Sequence, residues 1–496
     1  MQQLSQKNLL GILGKVADKN YHISKENYDR DLIKPGIVHF GVGNFHRCHQ
    51  AVYIDKLLGL GDLEWGIIGV SMRSSKIRDI LEPQDFLYTE ATLGSQIEFR
   101  IIGSILDILV APEDPVAVVN QLADTNIKIV TTTITEKGYC LFSGQIDVDH
   151  PDIVADKNNL ERPRSIYGYI AAAIIQRNKD EAGPLSVICC DNIQSGGVTL
   201  REGVDMLLEL HAKDILGWVE KYVSFASSMV DRVSPATNQS LKQLVNSALE
   251  FDDAWPVSAE PFTQWVIEDK FAGVRPVLDQ VGALFTDDIL LYELMKLRLL
   301  NAGHSIIAVL GYLDKREMIH QALKQPYILK FVQKALYENL LPVTAIPEDC
   351  QGEDYISGVI QRFHNSDTPY RAQQVNSDSS QKIRLRWFPS IDNALARNSN
   401  TKFISFFVAA WVVYIEKALS AGELKDPLSD KFSVEYQNDM ETIHHFLVVA
   451  GADSFNFINS AGFMRDVLDT YKILKQSDIK TALNLFLAKP RELNHA

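Results

Sequence analysis

The sequence predicts an α/β protein: a Rossmann-type N-terminal domain with a mostly parallel sheet, then a mainly α-helical C-terminal domain. Three observations carry this reading. Strand and helix patterns alternate through the first half, and a glycine turn directly follows the first strong strand. From about Asp287 onward, apolar residues recur at helical spacing and no strand pattern stands out. The boundary is expected near 285, giving domains 1–285 and 286–496.

Ile37–Phe40 reads as a short buried strand, followed at once by Gly41-Val42-Gly43-Asn44-Phe45 and a helix from about His49 to Leu60. Gly66–Val70 is the second strand, and Glu98–Ile102, Ile127–Thr133 and Leu185–Cys190 are expected to follow with helices between them. Strand, glycine turn, helix, strand is the βαβ unit of a parallel sheet covered on both faces. Residues Gly41 to Phe45 are candidate cofactor contacts, because amides at such a turn suit a pyrophosphate resting on a helix N-terminus. The glycine fingerprint is incomplete, since His46 holds its third position. A tight turn without ligand, or a metal cluster of His46, Cys48 and His49, would use the same residues. Asn192 follows the strand ending at Cys190; it is placed either to reach the ligand crevice or to form the turn.

In the second half, Lys296, Asn301 and His304 fan over one side of an otherwise apolar helix. At about 100° per residue, Asn301 lies about 140° and His304 about 80° from Lys296. Buried polar groups are costly unless each has a partner or a task. Gly303 costs about 1 kcal/mol of helix propensity, which a close approach at that point would explain. The alternative is a set of satisfied core polars, with Lys296 snorkelling outward. The prolines of Val343–Glu353 mark the nearest thing to a linker, and Asn376–Lys382 reads as a serine-rich loop.

Composition excludes several classes. A net charge of −14 over 496 residues offers no basic field for nucleic acid or an anionic membrane. Five scattered cysteines without a CxxC pair indicate a reducing compartment and argue against disulfides and a structural zinc site. The N-terminus lacks a signal-peptide core, and the apolar run Phe403–Ile415 is shorter than the roughly 20 residues of a membrane span. A cytoplasmic location and a monomer or weak oligomer are expected.

Several motifs occur in order: Gly41-Val-Gly-Asn-Phe-His-Arg-Cys-His49, Thr135-Glu-Lys-Gly-Tyr139, Ser186–Asn192, Met229-Val-Asp-Arg-Val-Ser-Pro235, Asp253-Ala-Trp-Pro256, Glu260–Glu268, and Lys296-x(4)-Asn301-x(2)-His304. Together they resemble the polyol-specific long-chain dehydrogenases, from about residue 35 to at least 310. The resemblance implies NAD(P)-linked, zinc-independent interconversion of a polyol and its ketose, with D-mannitol and D-fructose the expected pair. It implies Lys296 as general base, Asn192 and Asn301 as donors to the reacting oxygen, and His304 as its orienter. Val230, Asp231 and Lys382 match substrate-pocket positions. A lysine is ordinarily protonated to above pH 10, so burial or nearby cationic charge must depress it before it can act. Metal ligands are not implied.

Two positions depart from the family pattern. Gln374 stands where the mannitol-oxidising members carry a pocket arginine. Arg73-Ser74-Ser75-Lys76 stands where NAD-preferring members carry acidic residues after the second strand, and the first carboxylate is Asp79. The basic loop makes NADP use plausible beside NAD. Sugar-acid (fructuronate or tagaturonate) reductases and arabinitol 4-dehydrogenases share these motifs. A sugar-binding protein that has lost catalysis would share the fold.

Overall fold

Runs of Ile and Val without polar alternation need cover on both faces. In the computed structural model such runs form the centre of an eight-stranded sheet. The structure describes residues 2–9, 22–142, 144–366, 370–432, 436 and 438–488, and divides into two units, Met1–Leu290 and Leu291–Ala496.

The sheet of the first unit comprises β1 (Pro35–Phe40), β2 (Gly66–Ser71), β3 (Ile105–Val110), β4 (Ile129–Thr132), β5 (Leu185–Cys189), β6 (Val223–Asp231), β7 (Gln264–Glu268) and β8 (Leu284–Thr286). Its spatial order is β8-β7-β6-β5-β4-β1-β2-β3, parallel from β3 through β6. The six parallel strands thus follow the 3-2-1-4-5-6 order of a dinucleotide-binding fold, which reverses direction between β1 and β4. β7 adds antiparallel to β6, and β8 parallel to β7. Successive side chains of β1 serve opposite cores. Val38 and Phe40 pack with residues of the helices Ile166–Lys179 and Gly196–His211, and Ile37 packs with those of Gln50–Gly59.

Glu98–Ile102 was expected in the parallel sheet. It lies instead in a second, four-stranded sheet, within the strand Ile97–Ile102, antiparallel to Tyr88–Leu93. Its composition shows why: Phe99 and Ile101 are buried while Glu98 is exposed, the alternation of a strand covered on one face. The helix expected from about His49 to Leu60 is Gln50–Gly59, and a separate short helix, Asn44–Cys48, precedes it across a break at His49.

Among the described residues the second unit is helical, with one isolated antiparallel bridge between Met318 and Arg371. Lys402–Ser420 is long and apolar enough to cross a membrane, but most of it is buried within the protein, as a core helix would be. Trp387 stacks on its Phe407 with ring centroids 4.1 Å apart. Ser379–Lys382 is not loop, because the helix Ser379–Arg386 begins there. The two serines bond Asp426 rather than water, which removes the competition that keeps serine-rich segments unfolded. All five cysteines are free.

Asp55 makes the first unit sensitive to pH. Fully buried, it accepts bonds from the Tyr28 hydroxyl at 2.5 Å and the Gly103 amide at 3.0 Å, with Arg100 at 3.7 Å. Burial lifts its carboxyl from the ordinary 3.8 to about 6. An acid whose folded pKa is raised holds its proton more tightly when folded, so stability falls as pH rises through this window and is level above it. The loss is about 3 kcal/mol. Urea midpoints from pH 4 to 7 should therefore fall less steeply in Asp55→Asn than in the wild-type chain. Equal slopes would place the titration elsewhere.

Candidate active site

In a parallel sheet the carboxyl ends of the strands share one edge, and most of the predicted residues of the first unit collect there. The turn after β1 depends on Gly41. Its φ is +97°, and a Cβ there would lie 2.1 Å from the Thr133 carbonyl oxygen. Val42 is buried against Gly69 of β2, where a Cβ would meet it at 2.5 Å. Gly43 opens the helix Asn44–Cys48, and a Cβ on it would meet nothing within 4 Å. The first amides of a helix have no partner inside it, so the turn offers donors with clear space before them. That arrangement fits the pyrophosphate of a dinucleotide.

The rest of the turn is held from behind. Asn44 donates to the Pro235 carbonyl at 3.1 Å and to Thr237 Oγ1 at 3.2 Å, and accepts from Arg47 at 2.9 Å. Its side chain is therefore structural, leaving its backbone for a ligand. Phe45 stacks on His49 at 5.0 Å. His39 bonds Thr131 and Thr133 and stacks on His46 at 3.5 Å. Burial pushes His39 down to about 3, so it is neutral. His46, Cys48 and His49, the possible metal cluster, go separate ways: His46 to this stack, Cys48 to the Phe45 carbonyl, and His49 to the Gln264 carbonyl.

Sequence reasoning missed Asp191. It accepts from the amides of Ile134 and Thr135 at 2.8 and 3.0 Å and from the Tyr139 hydroxyl at 2.7 Å. These bonds tie the loop after β4 to the loop after β5, where exposed Asn192 stands. The only signal in the sequence was an aspartate beside the asparagine. Val230 and Asp231, both buried, end β6 at the same edge.

After β2, Arg73, Ser74 and Lys76 are exposed, and the Lys76 ammonium lies 5.2 Å from the Trp255 ring centroid. Ser75, named with the basic loop as a candidate cofactor contact, turns its hydroxyl elsewhere and donates to Asp79 at 2.6 Å, one helical turn on.

In the second unit, Lys296–Asn301 is a π-helical segment inserted between the α-helices Ile289–Met295 and Ala302–Leu313. This corrects the angles expected of a continuous α-helix. An i→i+5 pattern stacks residues five apart, as i→i+4 stacks residues four apart, so Asn301 swings back toward the face of Lys296. Lys296 is buried at 8% exposure. His304 lies one turn on, stacked on Phe363 at 4.9 Å and edge-on to Tyr370 at 5.2 Å. Arg386, also missed, donates to the Asn301 carbonyl at 3.1 Å and to Ser305 Oγ at 2.8 Å, and so braces the end of the π turn. Asn376 donates to the Ala308 carbonyl and ties the Gln374 segment to the same helix. Gln374 is exposed. Lys382 donates to the carbonyls of Val375, at 2.9 Å, and Ser377, so two of its three donors hold the backbone just after Gln374.

A glycine turn at the switch of a 3-2-1-4-5-6 sheet, followed by a helical unit carrying a buried lysine, defines a dinucleotide-dependent oxidoreductase. The sequence profiles described as mannitol dehydrogenase Rossmann domain and mannitol dehydrogenase C-terminal domain match residues 35–280 and 288–475. The chain is 36% identical to a mannitol 2-dehydrogenase of Cereibacter sphaeroides, over 82% of this chain and 86% of that one. It is 32% identical to a D-mannonate oxidoreductase of Escherichia coli, over 92% and 97%. Among solved structures, the Pseudomonas fluorescens mannitol 2-dehydrogenase in ternary complex with NAD and D-mannitol superposes with a TM-score of 0.84. It is 32% identical and covers 99% of this chain and 100% of its own. The chain belongs to the mannitol dehydrogenase family and is a polyol dehydrogenase with a Rossmann-type fold.

Gly303 was expected to make room for a close approach. A Cβ there would instead meet Leu336 and Phe363 at 3.5 Å, ordinary contact distance. The close approach on this helix is at Gly311, whose Cβ would meet that of Ala322 at 3.0 Å. Gly303→Ala should therefore keep near wild-type turnover and stabilise the chain by about 0.5–1 kcal/mol. A large loss of turnover without unfolding, seen in paired kinetic and denaturation measurements, would show that something does approach Gly303 during the reaction.

Proposed function

We propose that the chain interconverts D-mannitol and D-fructose with NAD as cofactor, using Lys296 as general base. The observation that carries this reading is the buried Lys296 on the π turn with Asn301, in a chain that matches a mannitol 2-dehydrogenase solved with NAD and D-mannitol over nearly its whole length. A bound oxidised nicotinamide would supply the acceptor for the hydride that leaves the carbinol carbon. The turn Gly41–Phe45 would hold its pyrophosphate through backbone amides, and Arg73, Ser74 and Lys76 would lie toward its ribose. Lys296 Nζ takes the hydroxyl proton as the carbon–oxygen bond gains double-bond character. Asn192 and Asn301 donate to the reacting oxygen, whose charge is greatest in the transition state, so they stabilise that state above the ground state. His304, its ring fixed by Phe363 and Tyr370, orients the same oxygen beside the lysine. Val230, Asp231, Gln374 and Lys382 contact the remaining hydroxyls.

A sugar-acid substrate is the second reading, favoured by the likeness to the D-mannonate oxidoreductase. Gln374 weighs against it. An arginine fork can clamp a carboxylate, whereas a glutamine offers a single donor end, and Lys382 spends two of its donors on the backbone.

No carboxylate projects from the loop directly after β2, so the repulsion that excludes a 2′-phosphate is missing and discrimination between the cofactors should be weak. The test is a substrate panel read at the nicotinamide absorbance: D-fructose, fructuronate and tagaturonate in reduction, and D-mannitol and D-arabinitol in oxidation, each with both cofactors. D-Mannitol and D-fructose should give the highest kcat/KM. NADP(H) should be accepted within about one to two orders of magnitude of NAD(H), or about 1.4–2.8 kcal/mol. Lys76→Asp should widen that gap. Preference for fructuronate with negligible use of fructose would overturn the substrate assignment. Strict NAD use unchanged by Lys76→Asp would show that the loop does not face the ribose.

A further inference from the structure

The segment from Tyr139 to Asn158 carries a chemistry that the polyol reaction does not use. Two short strands, Leu141–Phe142 and Gln145–Ile146, pair antiparallel, with Ile146 opposite Leu141 and Gln145 opposite Phe142. Cys140 immediately precedes the hairpin. After it, the chain is drawn back by two bonds, Asp147 N to the Cys140 carbonyl at 2.8 Å and His150 N to the Asp147 carbonyl at 3.0 Å. The helix Pro151–Asn158 begins there. One thiol, one imidazole and one carboxylate consequently meet at the neck of the hairpin. A ligand atom from each of Cys140, His150 and Asp152 lies within 4.8 Å of the others, the only such set among the described residues.

We propose that Cys140, His150 and Asp152 bind a divalent transition metal of the zinc class, which staples the neck of this hairpin. The donor set selects the metal. A thiolate with an imidazole favours zinc-like ions over calcium or magnesium, which take oxygen ligands. The contacts between the imidazole and the carboxylate are loose enough for an ion to draw them in. His150 Nδ1 accepts from the Asp152 amide at a long 3.3 Å and sits 3.9 Å from the Asp152 carboxylate. Both side chains are partly exposed, which leaves a path for a hydrated ion, while Cys140 is buried. Asp147 and Asp156 add negative charge near the sulfur. Binding forms a metal–sulfur bond and releases the thiol proton to solvent, with no change of oxidation state. None of the residues assigned to hydride or proton transfer belongs to the set, so the metal's task is to hold the hairpin.

The test uses the full chain, stripped by a chelator and titrated with Co²⁺. One equivalent should produce a thiolate-to-cobalt charge-transfer band in the near ultraviolet with tetrahedral d–d bands in the visible, and Zn²⁺ should abolish both. Cys140→Ser and His150→Gln should each lose the charge-transfer band or its saturation at one equivalent. Cys350→Ser, which alters the most exposed thiol, should keep it. Zn²⁺ should raise the melting temperature of the wild-type chain and leave that of His150→Gln unmoved, a readout that stands if Cys140→Ser does not fold. Absence of the band in the wild type, its survival in Cys140→Ser, or its loss in Cys350→Ser would overturn the proposal.

Discussion

The assignment of the chemistry turns on one departure from regular helix. A continuous α-helix through Lys296, Asn301 and His304 would spread the lysine and the asparagine well apart around the axis. The π turn stacks residues five apart and draws those two together, while the α-helix resuming at Ala302 keeps His304 one turn further on. Such a turn is rare because its hydrogen bonds are less favourable, and it persists where surrounding contacts fix it. Here Arg386 supplies them, bonding both the Asn301 carbonyl and the Ser305 hydroxyl. Arg298, bonded to the Val343 carbonyl, anchors the middle of the segment.

The first unit solves a similar problem with a sheet. Parallel strands bring their carboxyl ends to one edge but leave the loops that follow them free. Asp191 closes that freedom by joining the loop after β4 to the loop after β5 through three bonds. The buried pair His39 and His46 and the Asn44–Arg47 bond hold the turn after β1 in the same way. In both units, residues that reach no substrate in the proposed mechanism set the position of those that do.

How much of this was legible in the sequence follows from where the information lies. Strands β1, β2 and β5 stood out because burial on both faces leaves short, mainly apolar runs, broken in β1 only by the buried His39 and in β5 only by the buried Ser186. The strand Ile97–Ile102 was visible as a strand but not as a member of the second sheet, since pairing partners are not written locally. β6 was hidden by its serines, two of which bond neighbouring groups: Ser227 Oγ accepts from the Gly197 amide, and Ser228 donates to the Cys189 carbonyl. The candidate residues Lys296, Asn301 and His304 were recognisable by type and spacing. The π turn was not, because Leu-Arg-Leu-Leu suits an α-helix equally well and the arginine that braces the turn comes 85 residues after Asn301. Gly303 misled for a related reason: its neighbours Leu336 and Phe363 leave room for a methyl group, which only the packing reveals.

If the π turn serves to aim Lys296 and Asn301 at one oxygen, their contributions to turnover cannot be independent. A double-mutant cycle on polyol oxidation tests this most directly, with dinucleotide affinity measured alongside. Lys296→Ala should lower kcat by about 10²–10⁴ and Asn301→Ala by about 10²–10³, with dinucleotide binding little changed. The double variant should be scarcely slower than Lys296→Ala alone, because groups that act as a unit are strongly non-additive. Losses that simply multiply, or near-normal turnover in Lys296→Ala, would contradict the account.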